Sequence, residues 1–185
     1  MTAPGPQDSF AAPAWRRAFW HIVGKRVFAI TPHTSHRTRR AILRLAGARL
    51  TGLVKIRRSV TIDRPWNLRA HHLSIFGDHA ALRLARPLSV GERAVVSQMA
   101  IVSTEMADPA SGRTIVAPIT IEDDAWLATE AVMLPGSRLG AGSVVGARCL
   151  VHPFTSTPPW MVCVGQPVRA LKARVLNNAA GGGAR

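Results

Sequence analysis

Residues 121–151 read IEDDAW LATEAV MLPGSR LGAGSV VGARCL V, five blocks of six and the start of another. The first position of each block is Ile121, Leu127, Met133, Leu139, Val145 and then Val151, every one aliphatic or Met. The fifth position is Ala125, Ala131, Ser137, Ser143 and Cys149, every one small. An amphipathic helix repeats with a period of about 3.6 and does not space its apolar residues six apart. Pro135 and the glycines at 136, 140, 142 and 146 would also break or weaken a helix. A parallel β-helix with three flat faces fits. One aliphatic side chain per short strand points into a narrow interior, and a small residue sits where the chain turns each corner. Stacked coils bury the aliphatic column and satisfy one another's backbone hydrogen bonds.

The pattern extends toward the N-terminus. VGERAV and VSQMAI, from Val90 and Val96, share the phase, with Ala94 and Ala100 at the fifth position. Rougher runs start at Phe76, Leu82 and Leu88, and at Val54 and Val60, reaching Trp66. Before the repeat, 14–30 (AWRRAFWHIVGKRVFAI) and 38–50 (TRRAILRLAGARL) read as short basic helices joined through Thr31-Pro32. Trp15, Phe19, Ile22 and Val23 share one face of the first helix. Such a face either packs on the domain or lies on a membrane surface. Packing is the commoner role and is the expectation, with membrane-surface contact through 14–30 the alternative. The expected organisation is a disordered lead over 1–13, basic helices over 14–50, a β-helix with its C-terminal segment over 51–174, and a mobile tail over 175–185.

Composition bounds the function. A chain of 185 residues and 19.9 kDa suits one domain with extensions, and 47% apolar residues exclude wholesale disorder. Two cysteines make neither a disulfide scaffold nor a four-thiolate zinc site. Arg, Gly or Pro interrupts every apolar stretch, and the Pro-rich N-terminus has no secretory pattern, so the expected compartment is the cytoplasm. The net charge is +14, and it is unevenly placed. Residues 1–58 hold 12 basic side chains and one acid, Asp8, whereas 94–185 hold 7 basic and 6 acidic residues. A basic N-terminal third suggests an anionic partner. Because Arg outnumbers Lys 21 to 3, composition bias explains the charge as well. No helix-turn-helix or RNA-binding signature accompanies it, so nucleic acid is not expected.

The residues resemble a known family. WNL at 66–68, GD at 77–78, SQ at 97–98, PITIEDDAWLATEAVMLPGSRLGAGSVVGARCLV at 118–151 and PPWMVCVGQPVRALK at 158–172 look like the hexapeptide-repeat acetyltransferases. The nearest branch is the colanic-acid-type O-acetyltransferases of polysaccharide biosynthesis. The resemblance covers roughly 40–175 and is most specific over 118–172. It implies an all-β fold, a left-handed parallel β-helix of hexapeptide repeats with short N-terminal helices and a C-terminal extension. It also implies a homotrimer with active sites between subunits, acetyl-CoA as donor, a saccharide hydroxyl as acceptor, and no metal.

The implied chemistry needs a general base, because a sugar hydroxyl must lose its proton as it attacks the thioester. A His with a pKa near neutrality suits that task. The family's His follows the Ser-Gln pair by some ten residues, with an Asp after it. Counted from Ser97-Gln98, the His position falls on Ala107 and the Asp on Asp108. No His lies between His79 and His152. The family's acceptor-facing Asp and Asn positions fall on Ala81 and Leu84, both apolar. The catalytic residue is therefore unknown from the sequence.

The donor side matches better. The resemblance assigns Trp126 and Thr129 to the strand edge along the pantetheine arm, and Ala147 and Arg148 to the next coil. It assigns Arg169 and Lys172 to the CoA phosphates, where cations make charge-assisted hydrogen bonds. Gln166 stands where Asn is usual, and His152-Pro153 where Thr-Lys is common. Trp126 reads equally as a plug on a coil face, and Arg148 as a solvated outer residue. His71, His72 and His79 read as surface residues at corners. Cys149 and Cys163 with His152 hint at a metal site, but Cys149 occupies an interior position and a fourth ligand is lacking. Asp123-Asp124 read as an outer corner. The first functional reading is an acetyl-CoA-dependent O-acetyltransferase with an impaired base. The others are a degraded trimeric scaffold that still binds CoA, and a basic surface binder acting through 14–58.

Overall fold

The computed structural model describes residues 12–32 and 34–175. The expected lead falls largely, and the tail almost wholly, outside the described residues. From Arg49 the chain winds as stacked parallel coils of a three-faced β-solenoid. The first coil is β1 (Arg49–Leu50), β2 (Lys55–Ile56) and β3 (Thr61–Ile62). The second is β4 (Leu68–Ala70), β5 (Ile75–Phe76) and β6 (Ala81–Arg83), and the third β7 (Leu88–Val90), β8 (Val95–Val96) and β9 (Ile101–Ser103). A hairpin, β10 (Glu105–Ala107) and β11 (Thr114–Val116), then interrupts the winding. The fourth coil is β12 (Ile119–Ile121), β13 (Trp126–Leu127) and β14 (Val132–Met133), and the fifth β15 (Arg138–Leu139), β16 (Val144–Val145) and β17 (Leu150–Val151). β18 (Ser156–Thr157) and β19 (Met161–Val164) begin a sixth, and β20 (Arg169–Ala173) folds back antiparallel on β19. Successive coils stack β1-β4-β7-β12-β15-β18 on the first face, β2-β5-β8-β13-β16-β19-β20 on the second and β3-β6-β9-β14-β17 on the third.

The first-position column of 121–151 is the core: Ile121 is 1% exposed, and Leu127, Met133, Leu139, Val145 and Val151 are 0%. Burying such a side chain contributes about 1.5–3 kcal/mol. The fourth position of each block turns the corner with positive φ, as at Asp124 (58°), Glu130 (58°), Gly142 (63°) and Arg148 (58°). Most of these corners are not glycine. Stacking sustains them instead, because the N–H at each reaches a carbonyl of the coil before: Asp124 to Glu92, Glu130 to Gln98, Arg148 to Thr129.

In the earlier coils the column runs Leu50, Ile56, Ile62, then Ala70, Phe76, Leu82, then Val90, Val96, Val102, all buried. This corrects the phase expected from Val54, Val60 and Leu88. Val54 and Val60 occupy the fifth position, equivalent to Ala125 and Ala131, and Leu88 lies two residues ahead of the column in the same strand. The steps from Ile62 to Ala70 and from Leu82 to Val90 are eight residues, which breaks the period of six. The extra residues sit at the corner between the third and first faces, one of them in a 3-10 turn over Pro65–Asn67.

The N-terminal helices close the open end. α1 (Ala14–Phe19), a π turn over Trp20–Gly24 and α2 (Lys25–Ile30) are consecutive, and α3 (His36–Leu45) is shorter than the expected 38–50, since Arg49–Leu50 is already strand. Column residues of the first coil have no earlier coil to meet their outward carbonyls, and a buried unpaired carbonyl is costly. Each face has its own answer. The Arg44 Nη2 donates to Leu50 O (2.7 Å), the Arg39 Nε to Ile56 O (2.7 Å) and the Trp20 indole Nε1 to Ile62 O (3.0 Å). Arg39 is fully buried, and its Nη1 also donates to Thr31 Oγ1 and Pro32 O.

This cap overturns the expected packing face of the first helix. The packed residues are Trp20, Gly24 and Phe28. Trp15 is 63% exposed, Ile22 61% and Val23 45%; only Phe19 of the expected face packs against the core. The indole, with a donor to offer Ile62, takes the buried place. Gly24 makes room for it, since a Cβ there would lie 2.5 Å from the ring. Among the described residues no helix is long and apolar enough to cross a membrane.

Candidate active site

The second face and its corner toward the third carry most of the expected donor residues. Trp126 starts β13 and is 44% exposed, its indole donating to the buried Ser97 Oγ on the third coil (2.7 Å). Ser97 follows β8, the strand beneath β13. Thr129 lies half-buried at the corner that follows. One coil on, Ala147 and Arg148 are exposed at the same corner. Arg148 is paired along the corner: its Nε donates to Glu130 Oε2 (2.6 Å), and that carboxylate raises the guanidinium pKa above its usual value. Gln166, on the loop after β19, donates from Nε2 to the Arg148 carbonyl and so ties the last coil to this corner.

β20 extends the same face beyond the last coil. Lys172 pairs in register with Val162 and Arg169 with Val164, and both basic side chains are exposed. Neither makes an ion pair with a described residue. β13, β16, β19 and β20 are three strand spacings, roughly 14 Å, so the line from Trp126 to Lys172 suits an elongated ligand. The chain thus gathers Trp126, Thr129, Ala147, Arg148, Arg169 and Lys172 along one side.

Ala107 and Asp108 belong to a different corner. The hairpin leaves between the third and first faces. Thr104 anchors it, its N–H donating to Arg83 O (2.9 Å) and its hydroxyl accepting from the Arg86 N–H (2.9 Å). Arg64 donates to both carboxylate oxygens of Glu105 (3.3 and 3.4 Å). Ala107 is exposed on β10 opposite Thr114. Asp108 organises the tip: it accepts from the Ser111 hydroxyl (2.5 Å) and the Ala110 N–H (3.1 Å), and these bonds hold its carboxyl below the usual range. An ionised, doubly bonded carboxylate of low pKa is a weak base for a hydroxyl.

The expected acceptor positions also divide. Ala81 is half-buried on β6, but Leu84 is 0% exposed and faces the core. Its backbone is clasped by two polar side chains of the previous corner that sequence reading missed. Leu84 N–H donates to Asp63 Oδ1 (2.7 Å), and Asn67 Nδ2 donates to Leu84 O (2.7 Å). Ser97 was likewise legible only as half of a Ser-Gln pair. Its partnership with Trp126 spans 29 residues because the hairpin lies between them.

His71 and His79 are exposed and His72 is half-buried. The Cys149 Sγ accepts from the Gly165 N–H (3.1 Å), and burial pushes the Cys163 thiol up. No group of three or more His, Cys, Asp or Glu among the described residues gathers as a metal site. Asp123 accepts from the Glu92 N–H (2.8 Å), and Asp124 pairs with Arg93 through both oxygens (2.7 and 2.6 Å), consistent with an outer corner.

Known proteins resemble this chain in sequence and in fold. The chain is 37% identical over 158 residues to the colanic acid biosynthesis acetyltransferase WcaF of Escherichia coli (strain K12), a match covering 84% of this chain and 86% of that protein. The fold matches the crystal structure of a maltose O-acetyltransferase from Clostridium difficile 630 at a TM-score of 0.76 and 21% identity, over 86% of each chain. It also matches a hexapeptide-repeat acetyltransferase of Vibrio cholerae at a TM-score of 0.77 and 22% identity, over 89% of this chain and 95% of that one. The same Vibrio protein complexed with acetyl-CoA matches at a TM-score of 0.74 and 20% identity, over 91% and 92% of the two chains. No model of a known protein family matches the chain.

Proposed function

Because the chain belongs to the hexapeptide-repeat acetyltransferase family, we propose that it transfers an acetyl group from acetyl-CoA to a saccharide hydroxyl. The observation that carries the reading is the donor line on the second face: an indole fixed by Ser97 at one end and two unpaired cations, Arg169 and Lys172, at the other. The apolar edge of Trp126 flanks the pantetheine arm, and the cations meet the phosphates. Bound there, the thioester presents its carbonyl carbon to the acceptor. The hydroxyl oxygen attacks it, a C–O bond forms, the C–S bond breaks, and the hydroxyl proton ends on the departing thiolate.

The hairpin and the donor line occupy different corners of one chain. A homotrimer in which the hairpin of one subunit meets the donor line of the next would unite them, and this is the assembly we propose. Positioning alone accelerates such a transfer. A base within reach of the hydroxyl normally adds about 10² to 10⁴ in rate, and the hairpin has no imidazole.

That deficit favours a second reading, a trimeric scaffold that binds CoA without turning it over. Calorimetry with acetyl-CoA, followed by CoA release in the presence of a permissive oligosaccharide, separates the two. Binding with release supports the transferase, and binding without release supports the scaffold. No binding at millimolar acetyl-CoA refutes both. Ala107→His tests the base directly: a turnover gain toward about 10²-fold is expected if positioning is intact.

A further inference from the structure

We propose that the first helix docks the protein on an anionic lipid surface. Its packed side is fixed to the solenoid by Trp20, Gly24 and Phe28, so the opposite side is held outward as a platform. That side leaves Trp15 63%, Ile22 61% and Ile30 78% exposed, with Val23 and Val27 beside them. Exposed large apolar residues gathered on one helix mark an interaction surface rather than ordinary scatter.

Charge selects the occupant. Arg17, Lys25 and Arg26 are exposed on the same helix. No Asp or Glu occurs between Asp8 and Asp63, so nothing on this stretch offsets them. A second copy of the chain would bring the same positive end to the contact and be repelled. A surface of anionic headgroups over hydrocarbon matches both halves of the platform: cations meet the phosphates while Trp15, Ile22 and Ile30 enter the acyl boundary. The docking uses neither the donor line nor the hairpin and stands whether or not the chain is an active transferase.

The test is cosedimentation of the full chain with phosphatidylcholine vesicles and with equimolar phosphatidylcholine–phosphatidylglycerol vesicles. Binding is expected to the second and not the first. It should weaken at least about tenfold when ionic strength rises from about 0.1 M to about 1 M, which shortens the Debye length from about 10 to about 3 Å. The double variants Ile22→Asp/Ile30→Asp and Arg17→Glu/Arg26→Glu should each weaken it by about tenfold or more, with unchanged melting temperature because all four side chains are exposed. No binding to the anionic vesicles, equal binding to both, or binding indifferent to both variants overturns the proposal. So does a fall in oligomer mass for Ile22→Asp/Ile30→Asp without vesicle binding, which would make the face a subunit contact.

Discussion

Replacing Arg39 with Met removes the cap of the second face while nearly conserving volume. The buried guanidinium makes hydrogen bonds to Ile56 O (2.7 Å), Pro32 O (2.8 Å) and Thr31 Oγ1 (2.9 Å). A hydrogen bond from a charged donor contributes about 1.5–3 kcal/mol, so the gross loss exceeds about 4 kcal/mol. Against it stands the relief of burying the cation, several kcal/mol. Burial, and then the charges of Arg57 and Arg58, already pull this guanidinium below its usual pKa. What does not cancel is the short bond to the Ile56 carbonyl, which keeps only the longer contact to His36 Nδ1 (3.3 Å), and the loss of the tie to the Thr31-Pro32 linker. We expect a net loss of about 3 kcal/mol, or roughly 6–12 °C in Tm for a domain of this size. Thermal and urea unfolding followed by circular dichroism measure the total. Hydrogen exchange then locates it. In a stack whose coils contact only neighbours, protection should fall in α3 and the first coil and persist in the fourth and fifth. Arg44→Met should cost about 1 kcal/mol, less than Arg39→Met, because the Arg44 side chain is itself exposed and caps its carbonyl at the solvent edge. An Arg39→Met protein within about 0.5 kcal/mol of the parent, or one losing protection uniformly, would refute the capping argument.

Three further outcomes follow from single contacts. In Gly140→Ala the new Cβ would lie 2.6 Å from the Thr157 carbonyl oxygen, a backbone atom that cannot swing aside; a loss of about 1–3 kcal/mol in urea unfolding is expected. The His36 pKa is lowered from 6.5, first by burial and then by the charge of Arg39, whose Nη2 donates to Nδ1 (3.1 Å). The unfolded chain therefore binds the extra proton first. This contribution to stability is complete above pH 6.5 and declines as pH falls below it, and His36→Gln should flatten the profile. Ser97→Ala removes the acceptor of the Trp126 indole. Since Trp126 is 44% exposed, melting should hardly move, while the Kd for acetyl-CoA in calorimetry should rise several-fold if the ring borders the donor.

The part of the fold legible in the sequence is the part that repeats. Each coil from Ile121 to Val151 solves the same packing problem, so Ile121, Leu127 and Met133 recur at six and Ala125, Ala131 and Ser137 keep their own register. The earlier coils solve it with two extra residues at one corner, which pushes Ala70 and Val90 out of phase and made Val54 and Val60 look like column residues. The cap occurs once and has no period at all. Counting apolar residues along the first helix selects Trp15, Phe19, Ile22 and Val23, whereas the solenoid end selects the residue able to donate to Ile62. Only a π turn and Gly24 bring Trp20 there. The donor line was legible only in part: Trp126 falls in the regular repeat, whereas Arg169 and Lys172 lie in β20, beyond the repeat and antiparallel to it, and were named from the family resemblance alone. The pairing of Arg148 with Glu130 was hidden, although 18 residues is one full coil.

The same distinction divides the positive charge. Read as a sum, +14 invites one anionic partner. In the fold, Arg39, Arg40 and Arg44 are spent on carbonyls of the first coil, and Arg93, Arg138 and Arg148 on corner carboxylates. Among the cations left exposed near the N-terminal end, Arg17, Lys25 and Arg26 lie on the helix that carries the apolar platform, with Arg37, Arg49, Lys55 and Arg58 exposed elsewhere on that end. Salt separates the two populations. The contacts of buried Arg39 are poorly screened, and exposed cations facing a charged surface are screened strongly. Raising ionic strength from about 0.1 M to about 1 M should therefore leave the Tm within roughly 2 °C while removing most vesicle binding. A Tm that fell in parallel with vesicle binding would mean that the basic residues hold the cap through long-range charge, and the hydrogen-bond account of Arg39 would fail.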